Sequence, residues 1–183
     1  MRVIAGTAKG LYLRFPKGAP TRPATELVRG AVFSMLENMP GGWDKVLDLF
    51  SGSGAMGIEA LSRGAGWVDF VDREPKCCAI IKENLESTKL ANKAHVHCTN
   101  VSRAISFLDK EYDIILMDPP YADTSIGSTI EHVADSRLVG PDTTVVVTHS
   151  PRLHLDSSYA SLNLIKEHRH GDSCIAIYHR EAK

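Results

Sequence analysis

The sequence predicts an α/β fold in which a mostly parallel sheet ends in an antiparallel hairpin. From Lys45 onward, short apolar runs of strand length alternate with stretches of helical periodicity. Successive strands are spaced by about 20–27 residues, which is typical of right-handed βαβ units and hence of parallel pairing. The last two strand-like runs are separated only by a short turn, which indicates an antiparallel pair at the end of the sheet.

The individual elements follow from the same patterns. Strands are predicted at 45–50, 67–71, 94–98, 112–117 and 143–148, and the final hairpin at 162–169 and 173–179. Helices are predicted at 55–63, 75–90, about 101–108 and 125–134, and an earlier helix starts near Thr25. In front of that helix, two strand-like runs separated by Gly6 and Gly10 predict a β-hairpin. We therefore expect an N-terminal arm over 1–23 and a main domain over 24–183.

The composition is that of an ordinary globular protein, but its charge is uneven. The chain has 183 residues and a net charge of −1. Residues 1–30 nevertheless hold six basic side chains against one acid, which indicates a basic arm for an anionic partner on a neutral to acidic body. A plain solvated surface would also explain six charges. The start lacks the apolar core of a signal peptide and no run is long enough to span a membrane, so we expect a cytoplasmic protein that contacts no membrane. The four cysteines and eight histidines form no ligand pattern, and we predict no metal site.

A glycine-rich loop follows the first strand of the main domain. Gly52, Gly54 and Gly57 form a G-x-G-x-x-G pattern directly after strand 45–50 and directly before helix 55–63. That context makes the pattern a credible nucleotide-binding loop, because glycines permit sharp turns and close approach of a ligand. The usual ligand of such a loop is a dinucleotide, whose pyrophosphate lies at the helix N-terminus.

Two carboxylates near the loop favour a different nucleoside. Asp48 lies near the end of the first strand, where it would repel a pyrophosphate but would suit a ligand with ammonium or sulfonium groups, such as S-adenosylmethionine. Its alternative role is to bond the N–H groups of the loop. Asp72 ends the second strand and could accept the hydroxyls of a ribose. An ordinary turn residue at the strand end is the alternative for Asp72.

The fourth strand ends in Asp118-Pro119-Pro120-Tyr121. The Asp118 carboxylate and the Pro119 carbonyl are acceptors, the two prolines fix the backbone, and Tyr121 offers a flat face for a base. Two acceptors beside an aromatic ring suit an exocyclic amine on a planar base, which they would hold and orient toward an electrophilic methyl group. The alternative is a proline turn that merely ends the strand.

These motifs together resemble the RsmD-like family of bacterial methyltransferases that act on guanine N2 in small-subunit (16S) ribosomal RNA. The Asp-Pro-Pro-Tyr motif is similar to that of amino-methyltransferases in general. The stretches that carry the narrower resemblance are residues 1–6, 22–25 with Arg29 and Phe33, 48–54 with Gly57, Glu59 and Ala60, Asp72-Arg73, Asn100, and 118–121. Small departures are Asp72 where glutamate is commoner, Ala24 where threonine is common, and Val101 where alanine is usual.

The resemblance implies a Rossmann-like class I methyltransferase fold with a seven-stranded sheet and S-adenosylmethionine as donor. It implies that the methionine end of the cofactor lies near Asp48 and the loop, the ribose near Asp72 and the adenine near Asn100 and Val101, with Asp118 to Tyr121 at the target amine. The other cofactor contacts implied by the matching stretches are Phe50, Ser51, Arg73 and Thr25. The RNA contacts that we predict on the basic arm are Arg2, Lys9, Arg14, Arg22 and Arg29.

Three other functions remain open at this stage. A DNA adenine-N6 methyltransferase would share the Asp-Pro-Pro-Tyr motif, although the chain shows no extra domain for reading DNA. An NAD-binding oxidoreductase would share the glycine loop, but Asp48 and the Asp-Pro-Pro-Tyr motif oppose it. A non-enzymatic RNA-binding module would leave the cofactor loop unexplained. We expect ribosomal RNA as the partner, within an assembled or partly assembled small subunit, and no obligatory protein partner.

Overall fold

The computed structural model describes residues 1–17, 24–39 and 41–180. The described helices are α1 Glu26–Leu36, α2 Ala55–Ser62, α3 Pro75–Ser87, α4 Val101–Phe107 and α5 Ile126–Ala134, with a 3₁₀ turn at Ala91–Lys93. The described strands are β1 Lys45–Leu49, β2 Trp67–Asp72, β3 Ala94–Cys98, β4 Tyr112–Met117, β5 Val139–His149, β6 Ser158–Tyr159, β7 Leu162–His170 and β8 Ser173–His179.

These strands form one eight-stranded sheet in the order β3-β2-β1-β4-β5-β8-β7-β6. Strands β1 to β5 pair in parallel, whereas β8 pairs antiparallel with both β5 and β7. The predicted fold class, including the antiparallel hairpin at the end of the sheet, is therefore confirmed. The eighth strand is β6, a two-residue strand at the outer edge that is too short to leave an apolar pattern in the sequence.

Helices cover both faces of the sheet, which is why most residues of β1, β4 and β5 are buried. One core layer joins α1, α2 and α3 to side chains such as Val46, Phe70 and Val146. The other joins α4 and α5 to Leu47, Ile115 and neighbouring side chains. The parallel strands thus share one carboxyl edge, and the loops that follow β1, β2, β3 and β4 meet there.

The N-terminal segment packs on the body rather than standing away from it. The predicted hairpin is reduced to a single antiparallel bridge between Arg2 and Tyr12. Val3, Ala8 and Leu13 are buried in the same core layer as α1 and α2. The predicted boundary between arm and main domain falls at residue 23, outside the described residues, and stays a prediction.

Side chains of α2 capture the backbone of this segment. The Glu59 carboxylate accepts the N–H groups of Ile4 and Ala5 at 2.9 and 3.0 Å. The Ser62 hydroxyl accepts the N–H of Ala8 at 2.9 Å, and a side chain at position 6 would overlap the Ser62 carbonyl oxygen. These bonds to α2 add to cross-strand bonds within the segment, from the Val3 N–H to the Leu11 carbonyl oxygen and from the Leu13 N–H to the Met1 carbonyl oxygen.

Across the described ranges, no helix combines the length and the apolar character needed to cross a lipid bilayer.

Candidate active site

The loop after β1 turns sharply at the carboxyl edge of the sheet and is fastened to β2. Phe50, Gly52 and Gly54 have φ values of 59°, 57° and 78°, in the left-handed region. The Ser51 hydroxyl donates to the Asp48 carbonyl oxygen at 2.6 Å and accepts the Val71 N–H at 3.0 Å. The predicted loop residues are therefore held in one rigid turn between β1, β2 and the start of α2.

Gly57 allows α2 to approach the strands closely. A Cβ atom at this position would lie 2.3 Å from the Phe70 ring and 3.0 Å from Oδ2 of Asp48. In the absence of a side chain, the Gly57 N–H donates to that same Asp48 oxygen at 2.9 Å. The third glycine of the motif thus orients Asp48 and lets the helix pack on β2.

Asp72 lies where the sequence predicted a ribose acceptor, beside the glycine loop. Its Oδ2 accepts the Gly52 N–H at 2.8 Å, and its Oδ1 accepts the Glu74 N–H at 2.9 Å. The carboxylate is thereby fixed at the carboxyl end of β2. Each of its oxygens retains a lone pair that could accept a hydroxyl.

The charges at the carboxyl edge of the sheet favour a positively charged ligand. Asp48 is 1% exposed, and burial raises its pKa to about 8, against the hydrogen bond from Gly57 and with further upward contributions from the charges of Asp118 and Asp72. Asp118 and Asp72 therefore lie close enough to disfavour the charged form of Asp48. A positively charged ligand beside Asp48 would offset this effect.

Asp118 follows β4 and lies next to the end of β5. The Thr148 hydroxyl donates a hydrogen bond to Oδ1 of Asp118. Burial raises the pKa of Asp118 to about 6, while the hydrogen bonds from the Thr148 hydroxyl and the Ala24 N–H oppose the rise. Asp118 is thus a half-buried acid that is mostly ionised near neutral pH.

The rest of the Asp-Pro-Pro-Tyr motif leads from Asp118 to the surface. Pro119 is buried, Pro120 is half-buried and Tyr121 is 41% exposed. The Tyr121 hydroxyl donates to Oγ of Ser173 at 2.6 Å, which ties the motif to the first residue of β8. An acceptor pair and an aromatic ring consequently lie side by side at the sheet edge.

The remaining predicted cofactor residues lie near this edge in different roles. Asn100 caps α4, its Oδ1 accepting the Arg103 N–H at 2.8 Å, and half-buried Val101 begins that helix after β3. Thr25 caps α1, accepting the Val28 N–H at 3.2 Å, next to the Ala24 N–H that faces Asp118. Arg73 is exposed, and its Nε lies 3.4 Å from Oε1 of Glu74, so Glu74 would compete with a cofactor for this side chain.

One predicted RNA-binding residue is wrong as assigned. Arg29 is 0% exposed; its Nε lies 3.6 Å from Oε2 of Glu59, and its Nη2 donates to the Arg2 carbonyl oxygen. Burial lowers the pKa of Arg29, and the Glu59 charge opposes that effect. The charge is needed inside the protein to balance a buried acid, and an RNA strand cannot reach it.

Three of the other predicted RNA contacts, Arg2, Lys9 and Arg14, are exposed. Nε of Arg2 lies 3.9 Å from Oε1 of Glu26, and Nη1 of Arg14 lies 2.9 Å from Oε2 of Glu83. Arg22 lies outside the described residues.

The sequence analysis missed two residues that organise the site. Thr148, fully buried at the end of β5, is the donor to Asp118, and the adjacency of β4 and β5 was the signal that could have identified it. Asn84, on α3, donates to the carbonyl oxygens of Ser53 and Arg14 at 2.9 and 2.8 Å. It therefore links the glycine loop to the N-terminal segment, a long-range contact with no local sequence signal.

Comparison with known proteins gives a consistent result. The model of the family described as conserved hypothetical protein 95 matches residues 1–179. The chain is 34% identical over 182 residues to YlbH of Bacillus subtilis, provisionally named an rRNA methyltransferase, covering 97% of this chain and 98% of YlbH. It is 30% identical over 187 residues to ribosomal RNA small subunit methyltransferase D of Escherichia coli, covering 100% and 91% of the two chains. The solved structure of yhhF from Escherichia coli, provisionally named a methyltransferase, matches with a TM-score of 0.84 and 27% identity over 100% of this chain and 99% of that one.

Proposed function

The chain belongs to the conserved hypothetical protein 95 family, and from that premise we propose that it methylates the exocyclic N2 amine of a guanine in small-subunit ribosomal RNA, with S-adenosylmethionine as donor. The relatives named above are called rRNA or small-subunit RNA methyltransferases. The observation that carries the proposal is a pair of acids at this edge: buried Asp48 behind the glycine loop and half-buried Asp118 beside the Thr148 hydroxyl.

The residues at the carboxyl edge fit S-adenosylmethionine better than a dinucleotide. The charges of Asp118 and Asp72 add to burial in disfavouring the ionised form of Asp48, and a ligand with sulfonium and ammonium groups would offset that effect. A pyrophosphate would add negative charge beside Asp48. Asp72 would hold the ribose hydroxyls, and the capped start of α4 at Asn100 and Val101 would border the adenine. The donor supplies a methyl group on a positively charged sulfur.

The Asp-Pro-Pro-Tyr motif would prepare the acceptor amine. The amine lone pair is delocalised into the guanine ring, so the free amine is a poor nucleophile. The Asp118 carboxylate and the Pro119 carbonyl would accept one N–H each, while the Tyr121 ring stacks on the base. These contacts would aim the nitrogen at the methyl group and stabilise the positive charge that develops on it. After the new N–C bond has formed, the nitrogen loses a proton, and Asp118, with a pKa of about 6, is suited to accept it.

Substrate binding would involve the exposed cations of the N-terminal segment. Arg2, Lys9 and Arg14 lie on the surface, and phosphate neutralisation provides much of the affinity of proteins for RNA. The target guanine must be unpaired or turned outward to reach Tyr121, so neighbouring backbone has to be held as well. We propose an assembled or partly assembled small subunit as the physiological substrate, methylated in the cytoplasm.

Cofactor choice can be tested by thermal unfolding. S-adenosylmethionine, or its demethylated product, at about 100-fold over its dissociation constant should stabilise the protein by roughly 2.7 kcal/mol. NAD should give no comparable shift, and Asp72→Ala should shrink the shift. A larger response to NAD would reject the methyltransferase assignment.

Substrate choice requires labelled S-adenosylmethionine offered with small ribosomal subunits, free ribosomal RNA or DNA. Label in RNA is expected, and label in DNA adenine would instead support the DNA adenine-N6 alternative. Asp118→Ala should lower turnover by about 10²-fold or more, as does loss of one positioned electrostatic contact, while the cofactor thermal shift persists. Near-normal turnover in that variant would mean that the amine binds elsewhere.

The basic segment needs a separate test. A double Arg→Ala change at Arg2 and Arg14 should weaken RNA binding and flatten its salt dependence, because fewer counterions are released. Deleting residues 1–20 is a poorer test, since Val3, Ala8 and Leu13 belong to the core. An unaltered salt slope with a lower melting temperature would assign the segment a purely structural role.

A further inference from the structure

Strand β7 carries a row of exposed side chains that the proposed mechanism does not use. Lys166 and His168 are exposed and His170 is half-buried. The rings of His168 and His170 lie with their centroids 5.7 Å apart. We refer to Lys166, His168 and His170 as the β7 row.

The strand register puts the β7 row on the sheet face that bears Asp118. His168 is paired with Ile175 of β8, and Ile175 is paired with Thr148 of β5, whose hydroxyl bonds Asp118. Directly paired residues share a face, and neighbouring strands are about 4.8 Å apart, so His168 lies roughly 10 Å from Thr148. His170 is paired with Ser173, the residue that accepts the Tyr121 hydroxyl.

A bulge in β7 produces this orientation. Leu164 pairs with Tyr178, but Lys166 rather than Ile165 pairs with Ile177. Because one extra residue reverses the face of everything that follows, the bulge turns Lys166, His168 and His170 toward the side of Asp118. Without it, Ile165, Glu167 and Arg169 would occupy that face.

The bulge also separates the charges of the strand. Glu167 now lies on the other face, with Oε1 3.3 Å from Nε2 of His149. Arg169 shares that other face and donates from Nε to the Gly171 carbonyl oxygen at 3.1 Å. The face beside the target site therefore presents a lysine and two aromatic heterocycles, and the acid of the same strand points away from it.

We propose that the β7 row binds the single-stranded RNA that flanks the target guanine. This inference rests on the proposed function. Lys166 would contact a backbone phosphate, and the two histidine rings would stack on a base next to the one held at Tyr121, as aromatic side chains do in single-strand recognition. The row continues the site along the sheet, on the opposite side of Asp118 from the glycine loop.

The test is a variant with Lys166→Gln, His168→Asn and His170→Asn, compared with Arg169→Gln. The control removes a full positive charge from the same strand but from its other face. Both proteins are titrated with small subunits, and with RNA extracted from them, taken from cells that lack this gene. The row variant should bind the extracted RNA about tenfold or more weakly, since each stacked base contributes a comparable factor. Its KM should rise more than its kcat falls, and Arg169→Gln should stay within about twofold of wild type, as expected for a charge outside the contact surface.

The outcomes separate this inference from the function on which it rests. If wild type binds neither RNA nor subunits, both proposals fail. If wild type binds and the row variant binds equally well, only the β7 row is rejected. The alternative role is protection of the sheet edge, because β6 pairs only with Leu162 and Asn163 and charged side chains discourage edge pairing. Self-association of the row variant with unchanged RNA affinity would favour that role. Lys166→Glu, which keeps the edge charged, should still weaken RNA binding, and normal binding by it would overturn the inference.

Discussion

Replacing Asp48 by asparagine should make the ligand-free protein more stable at high pH while abolishing cofactor binding. Burial raises the pKa of Asp48 to about 8, far above the ordinary carboxyl pKa of 3.8. Between these two values the folded protein holds a proton that the unfolded chain has released. Stability must therefore fall as pH rises through this window. Asparagine keeps an acceptor for the Gly57 N–H and does not titrate.

The size of the effect follows from the same shift. One proton of difference between folded and unfolded states corresponds to about 1.4 kcal/mol per pH unit. Between about pH 5.5 and pH 7.5, the stability of Asp48→Asn relative to wild type should therefore increase by up to roughly 2.7 kcal/mol. The cost of burying the extra amide group cancels in this comparison, because it is the same at both pH values. The contribution of Asp118, with a pKa of about 6, is largely common to both proteins.

Urea unfolding of both proteins at the two pH values, without ligand, measures this difference directly. S-adenosylmethionine should raise the melting temperature of wild type but not that of Asp48→Asn. If the stability difference between the two proteins is the same at both pH values, Asp48 is ionised without cost in the folded state. The electrostatic argument for a cationic ligand would then be refuted.

Three further substitutions probe the site and its support. Thr148→Val should raise the pKa of Asp118, since a hydrogen bond to a charged group contributes about 1.5–3 kcal/mol. The acidic limb of the kcat–pH profile should therefore move up by about 1–2 pH units, whereas Thr148→Ser, which keeps the hydroxyl, should leave it in place. Identical profiles for Thr148→Val and wild type would show that Asp118 does not control the pH dependence. Gly57→Ala should destabilise the protein by about 1–3 kcal/mol and weaken cofactor binding, because the new methyl group would overlap Phe70 and Asp48. The control is Gly30→Ala in α1, which should be tolerated because its Cβ would lie 3.8 Å from Cδ1 of Ile4. Arg63 pairs both with buried Glu59, at 2.8 Å from its Nε to Oε1, and with exposed Glu37, at 2.6 Å from its Nη1 to Oε1. Glu59→Gln should lower the free energy of unfolding in urea by about 3–5 kcal/mol, because it also leaves buried Arg29 without its countercharge. Glu37→Gln should lower it by less than about 1 kcal/mol, and equal costs would contradict the buried-pair account.

Local patterns predicted most of the fold and which candidate site residues lie at one edge of the sheet. Continuous apolar runs marked the buried parallel strands, and the glycine loop and Asp-Pro-Pro-Tyr motif each followed one of them. Parallel strands bring their carboxyl ends to one edge, so Asp48, Asp72 and Asp118 could be expected near one another without coordinates.

Contacts between distant parts of the chain could not be predicted in this way. Arg29 looked like a surface cation because helical spacing does not reveal that Glu59, thirty residues later, lies buried opposite it. Thr148 needed the pairing of β4 with β5, and Asn84 needed the packing of α3 against the N-terminal segment. The orientation of the β7 row depends on a bulge at Ile165, a register shift that alternating residues do not show.

The most direct test of the central claim is nucleoside analysis of small-subunit RNA from cells that lack this gene. The RNA is digested and its methylated nucleosides are separated and identified by mass spectrometry, before and after the gene is restored as wild type or as Asp118→Ala. We expect one N2-methylguanosine to be absent without the gene, to return with wild type and to stay absent or much reduced with Asp118→Ala. An unchanged N2-methylguanosine content in cells without the gene, or the loss of an N6-methyladenosine instead, would contradict the account.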